Sequence, residues 1–94
     1  MELTSDEALQ KGAEAHKAGR FQEADRFYTA ILQSQPNHPD TNYNMGVLAV
    51  GAGNAQEALS FFKTALEANP SVAQFWLSYI DALIRLNRLA DAKA

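Results

Sequence analysis

The side chains able to do acid–base or metal chemistry in this 94-residue chain are few and far apart. His16 and His38 lie 22 residues apart, with no carboxylate at ligand spacing. A metal site or a histidine general base needs its partners clustered, so the pattern argues against both. The carboxylates Glu23, Asp25, Glu57 and Asp91 fall at or near turns that open helices, where complementing the helix dipole accounts for them. Cysteine is absent, which removes thiol nucleophiles, disulfides and thiolate metal sites. No Ser/His/Asp arrangement and no phosphate-binding loop occurs. The chain reads as a non-enzyme, without cofactor or metal, whose work is done by a surface.

Composition narrows what that surface meets. With 47% hydrophobic and 20% charged residues the chain is an ordinary globular one, of a size for a single domain with a modest core. A net charge of −3, a pI near 5.2 and eight scattered Lys and Arg argue against a broad nucleic-acid or anionic-membrane footprint. The acidic opening, Met1 to Glu7, lacks the apolar stretch of a signal peptide, and no run approaches a membrane span. A cytoplasmic location is the expectation.

What positions the surface is a repeat. Eleven residues between Ser5 and His38 recur unchanged 34 places later, among them Gly12, Gly19, the run Gln22-Glu23-Ala24, Phe27 and Pro36. A third copy starts at Ala73, with Asn87 where Gly19 and Gly53 stood and Asp91-Ala92 where Glu57-Ala58 stood. A constant step of this size marks stacked supersecondary units, each contacting its neighbours. The units run over about 5–38, 39–72 and 73–94, the last incomplete.

Helix signals fill each unit. Thr4 and Glu7 form a capping box for a first helix ending near Ala18, with Gly19 suited to a left-handed turn. Phe21 to Gln35 is a second helix stopped by Pro36, and Pro39 opens a third that runs to about Ala52. A fourth spans about Ala55 to Ala68, a fifth about Val72 to Leu86, and a sixth is expected from near Leu89 after a turn at Asn87. No stretch alternates as a half-buried strand would. Glycine inside a helix costs roughly 1 kcal/mol against alanine, so Gly12 and Gly46 need a packing reason. Ala24 and Ala58 are the small residues expected to face them across the turn. Phe27, Tyr28, Phe61 and Phe62 are sized to wedge between units.

These residues resemble the tetratricopeptide repeat (TPR) family. Tyr43-Asn44-Met45-Gly46, Ala58, Phe62, Ala65 and Pro70 carry the likeness most fully. The first unit matches at Gly12, Ala24, Tyr28 and Pro36, and the third at Trp76 and Ala92. Ile80 departs, standing where the family has a small residue. The resemblance implies an all-α, right-handed solenoid of antiparallel helix pairs, two full repeats plus a truncated third, with Trp76 as a packing residue.

It also implies a peptide-binding groove along the first helices, here Leu9, Ala13, Tyr43, Asn44, Val47, Val50, Leu77, Asp81 and Ile84. Of the clamp that grips chaperone C-termini only Asn44 is present, with Leu9, Ala13 and Ser78 in its other places, which disfavours that ligand. The apolar remainder fits a hydrophobic or helical ligand; the same side chains could instead pack on each other or on another copy. Asn44 would bond a peptide backbone, or else a group of its own unit.

Three roles follow. The first is a protein–protein interaction module holding a peptide or helix, part of a larger protein. The second is a docking arm of a glycosyltransferase-like enzyme, since Gln35 to Val50 is similar to TPR segments of bacterial O-GlcNAc-transferase-like proteins. The third is self-assembly into homo-oligomers through the groove or the C-terminal end. Ala94 falls early in the expected sixth helix, so Trp76, Tyr79, Ile80 and Leu83 are expected to present an apolar side that another molecule, most simply a second copy, covers.

Overall fold

Five helices in chain order make up the protein in a computed structural model that describes residues 3–93, with side chains for residues 3–88. They are α1 (Ser5–Lys17), α2 (Phe21–Ser34), α3 (Pro39–Gly51), α4 (Ala55–Ala68) and α5 (Ala73–Lys93). No strand occurs among the described residues. The body is elongated, 52 × 29 × 19 Å, as expected of stacked units.

Local chemistry sets the boundaries. Thr4 and Glu7 close a reciprocal capping box at α1: each side chain accepts from the other residue's backbone N–H, at 3.1 Å. Those bonds to Thr4 also hold the Glu7 carboxyl below its usual range. α1 and α3 both stop at a glycine in the left-handed region, Gly19 at φ +80° and Gly53 at φ +81°. In each turn the N–H two residues after the helix cap returns to a carbonyl five residues back, Arg20 to Ala15 (2.8 Å) and Asn54 to Ala49 (2.9 Å). These tight reversals fold α1 on α2 and α3 on α4 as hairpins.

His38 is the N-cap of α3. Its Nδ1 accepts from the Thr41 N–H at 3.2 Å and lies 2.9 Å from the Thr41 hydroxyl, which requires the tautomer protonated on Nε2. Asn42, also unanticipated, is buried and donates from Nδ2 to the carbonyls of Pro36 (3.0 Å) and His38 (2.9 Å). It stitches the start of α3 to the linker between the two hairpins.

The core is a series of small clusters, each joining a hairpin to the next helix. Ala15, Ala24, Tyr28 and Met45 bring α1, α2 and α3 together, with Leu9, Leu32, Leu48 and Phe61 packed around them. Ala58, Phe62 and Ala82 repeat the arrangement for α4 and α5, flanked by Tyr43, Val47, Val50 and Tyr79. The helical glycines have the packing reason they need. A Cβ on Gly12 or Gly46 would stand under 3.0 Å from the rings of Tyr28 or Phe62 respectively. The aromatic one turn beyond Ala24 or Ala58 lies on the glycine, and the alanine is fully buried in the same cluster.

The expected turn at Asn87 does not form. α5 runs unbroken from Ala73 to Lys93, so a fifth and a sixth helix are one. Glycine accepts positive φ without penalty, and no described non-glycine residue adopts it. With asparagine at this place and Leu86, Arg88 and Leu89 around it, all adequate helix formers, the intrahelical hydrogen bonds continue. The side chains of Asp91 and Ala92, which carried the third copy's likeness, lie outside the described residues.

Candidate functional site

Of the first helices of the units, α1 touches α3, and α3 touches α5 through its side chains. α3 meets α5 through Tyr43, whose ring stacks on Phe75 (centroids 5.1 Å apart, 28° between planes) and tilts against Phe62 at 5.7 Å. Aromatic pairs at these separations add to the burial they already provide. The Ser78 hydroxyl donates to the Tyr43 oxygen at 3.3 Å, and Gln74 Nε2 donates to Ser78 at 3.4 Å. A short polar chain therefore crosses from α5 to α3.

The nine residues assigned to the groove divide by depth. Leu9 and Ala13 on α1 are half-buried, Leu9 against the Tyr28 cluster. Tyr43, Val47 and Val50 on α3 are half-buried and pack into the Phe62 cluster, so the α3 part of the stripe is bound up with the core. On α5 the stripe opens: Leu77 is 61% exposed and Ile84 45% exposed. Asp81 between them is exposed and pairs with Arg85 at 2.8 Å, a surface ion pair of small energetic weight. Asn44 is half-buried.

Trp76 is not the buried packing residue that the resemblance implied. It is 47% exposed, and its indole N–H donates to the Pro70 carbonyl at 2.8 Å. The interior place on α5 is taken by its neighbour Phe75, buried with Ala65 and Leu66. Trp76, Ile80 and Leu83 join Leu77 and Ile84 as exposed apolar side chains along α5. Ile80, in the place of Gly12 and Gly46, is half exposed.

The remaining candidates are structural or isolated. His16 meets the edge of Phe21 at 5.7 Å and lines an open, mainly apolar cleft of about 320 Å³ between the two hairpin turns, with Met45, Leu48 and Ala49. Glu23 pairs with Arg20 at 2.7 Å, Asp25 accepts from the Thr29 hydroxyl, and Glu57 accepts from Asn54 Nδ2 at 2.8 Å while Asn54 caps the Glu57 N–H. Each sits in the first turns of α2 or α4, as dipole complementarity requires. No group of three or more His, Cys, Asp or Glu that could hold a metal exists among the described residues. No helix among them is long and apolar enough to cross a membrane.

A tetratricopeptide repeat family model matches residues 49–94, from the end of α3 through α4 and α5. The fold is a TPR-type helical repeat. Cellulose synthase 1 operon protein C of Komagataeibacter xylinus is 30% identical over 69 residues, 73% of this chain and 5% of the relative. Cellulose synthase operon protein C of Komagataeibacter sucrofermentans is similar to the same extent. The chain thus spans about 5% of the length of the relatives it matches.

Proposed function

We propose that the chain is a protein–protein interaction module that holds a peptide or helix along the face of α1, α3 and α5. One observation carries the reading. Leu77 and Ile84 on α5 are exposed and apolar, and α3 beside them carries the half-buried Asn44. Apolar anchors beside a few unspent polar groups are what a peptide site needs: burial supplies affinity, and the polar groups fix orientation. TPR-type repeats generally serve as interaction modules, which supports the same reading.

The test separates exposed positions from packed ones. Leu77→Ser and Ile84→Ser change side chains that the fold does not bury, so they weaken a bound peptide while leaving the unfolding midpoint in place. Tyr43→Ala and Val47→Asp are poor probes, since they remove an aromatic wedge or place a charge in the Phe62 cluster. A peptide selected against the chain from a random library, titrated calorimetrically against each variant, decides it. Equal affinity for parent and both serine variants would move the site off this face.

A second reading has its own observation. Trp76, Leu77, Ile80, Leu83 and Ile84 are exposed apolar side chains at helical spacing along α5, and contiguous exposed apolar surface marks interaction sites. A second copy pairing there makes the molecular mass by light scattering rise with concentration; a constant monomer mass rejects it.

A further inference from the structure

The open cleft between the two hairpin turns is separate from the groove, since none of the nine groove residues lines it. Its volume is about 320 Å³, and Met45 and Leu48 of α3, Phe21 and Asp25 of α2 and Glu57 of α4 are among its lining. Phe21 is 55% exposed, with the edge of His16 at 5.7 Å. At the same register one unit on, the chain is filled instead. There His16, Phe21 and Asp25 are replaced, 34 residues later, by Val50, Ala55 and Leu59. Ala55 is buried, and Val50 and Leu59 pack into the Phe62 cluster with Tyr79 and Ala82, the counterparts of Met45 and Leu48. Apolar filler at this register joins one hairpin to the next helix. The first junction carries a ring, an imidazole and a carboxylate in its place, so packing between units does not explain them.

Charge narrows what fits. Asp25 and Glu57 are exposed carboxylates, and no Lys or Arg stands among the described residues that line the cleft. Phe21 and Asp25 are four residues apart on α2, which sets ring and carboxylate on one face of the helix. The Thr29 hydroxyl reaches Asp25 at 3.5 Å, the long limit of a hydrogen bond, so a charged donor would displace it readily. An apolar wall, an exposed ring and a carboxylate one turn away together call for a cation on an apolar stem.

We propose that this cleft takes an arginine side chain of a partner protein. Its methylene stem lies against Met45 and Leu48, and its guanidinium stacks on Phe21 and donates to Asp25, with Glu57 adding to the attraction. Lysine fits less well: its compact, strongly hydrated ammonium can pair with the carboxylate but has no plane to lay on the ring. The site shares no residue with the groove, so each stands or falls without the other.

The full chain, ¹⁵N-labelled, is titrated with N-acetyl-arginine methylamide, its uncharged isostere N-acetyl-citrulline methylamide, and N-acetyl-lysine methylamide. The arginine compound gives saturable amide shifts at Phe21, Asp25, Leu48 and Ala52 in the millimolar range expected of so few contacts. Citrulline binds about fivefold more weakly, the scale of one exposed charge pair, and lysine is weaker than arginine. Asp25→Asn brings arginine down towards the citrulline level and leaves citrulline unchanged. Phe21→Leu keeps the apolar bulk but abolishes the preference for arginine over lysine. Both positions are exposed, so the unfolding midpoints of the variants stay near that of the parent. Equal affinity for arginine and citrulline in the parent chain overturns the proposal, as does an arginine preference that survives both substitutions. Arginine shifts centred on Asp6, Asp40 or Asp81 instead of the cleft, or no saturable shift up to about 50 mM, far past the millimolar range, overturn it too.

Discussion

A single methyl group is the finest scale at which the repeat can be probed. Gly46→Ala gains helix propensity of roughly 1 kcal/mol, yet its Cβ would press into the Phe62 ring. The clash dominates because the ring is fully buried and cannot retreat, so the variant loses about 1–3 kcal/mol by chemical denaturation. Ala58→Leu overpacks the same cluster to a similar degree. A neutral or stabilised Gly46→Ala would mean that the aromatic does not lie on the glycine. Tyr28 makes a second prediction at this scale. Its phenol is held above the ordinary value of 10.0 by burial, so the folded chain keeps its proton where the unfolded chain loses it. Stability is intact below pH 10 and declines as pH rises through the raised folded value. Tyr28→Phe removes that component, giving a shallower alkaline decline; identical alkaline slopes would contradict the burial. The 34-residue step made the glycines, alanines and aromatics readable as one packing set. It could not say that the ring lies directly on the glycine, because spacing orders residues along a helix without giving side-chain reach.

At the scale of elements, the four helices of the two hairpins were legible because each carries a chemical start and stop. Thr4 with Glu7, Pro39 with Asp40, and Gly19 and Gly53 act through local hydrogen bonds and backbone freedom that do not depend on the rest of the fold. The turn at Asn87 was misread because position within a repeat stood in for chemistry: asparagine tolerates a left-handed turn but does not compel one. Asn87→Ala therefore raises the stability of α5 slightly, while Asn87→Gly lowers it by roughly 0.5 kcal/mol or more against asparagine. Circular dichroism through thermal unfolding reads both. A loss of helix in Asn87→Ala, with none in Asn87→Gly, would show a turn there after all. His38 and Asn42 escaped the sequence reading for a related reason. Their roles depend on carbonyls and an N–H that only converge once α3 has turned away from the linker.

At the scale of the molecule, the repeat sets α1, α3 and α5 side by side and leaves the outer side of α5 bare. The apolar character of the first-helix face was visible in the sequence. Its division into a packed α3 part and an open α5 part was not, because the same leucines and valines serve a core or a groove according to what lies over them. Only the ring stack of Tyr43 on Phe75, with Phe62 behind it, decides for α3. Binding of a peptide or helix to this face is the proposal on which the functional reading rests. Backbone amide shift mapping with the selected peptide tests it most directly. The account predicts the largest changes at Asn44, Leu77, Ser78, Asp81 and Ile84, with Lys63, Thr64 and Glu67 on α4 unmoved. Changes concentrated on α2 and α4, with the α3 and α5 amides still, would contradict it.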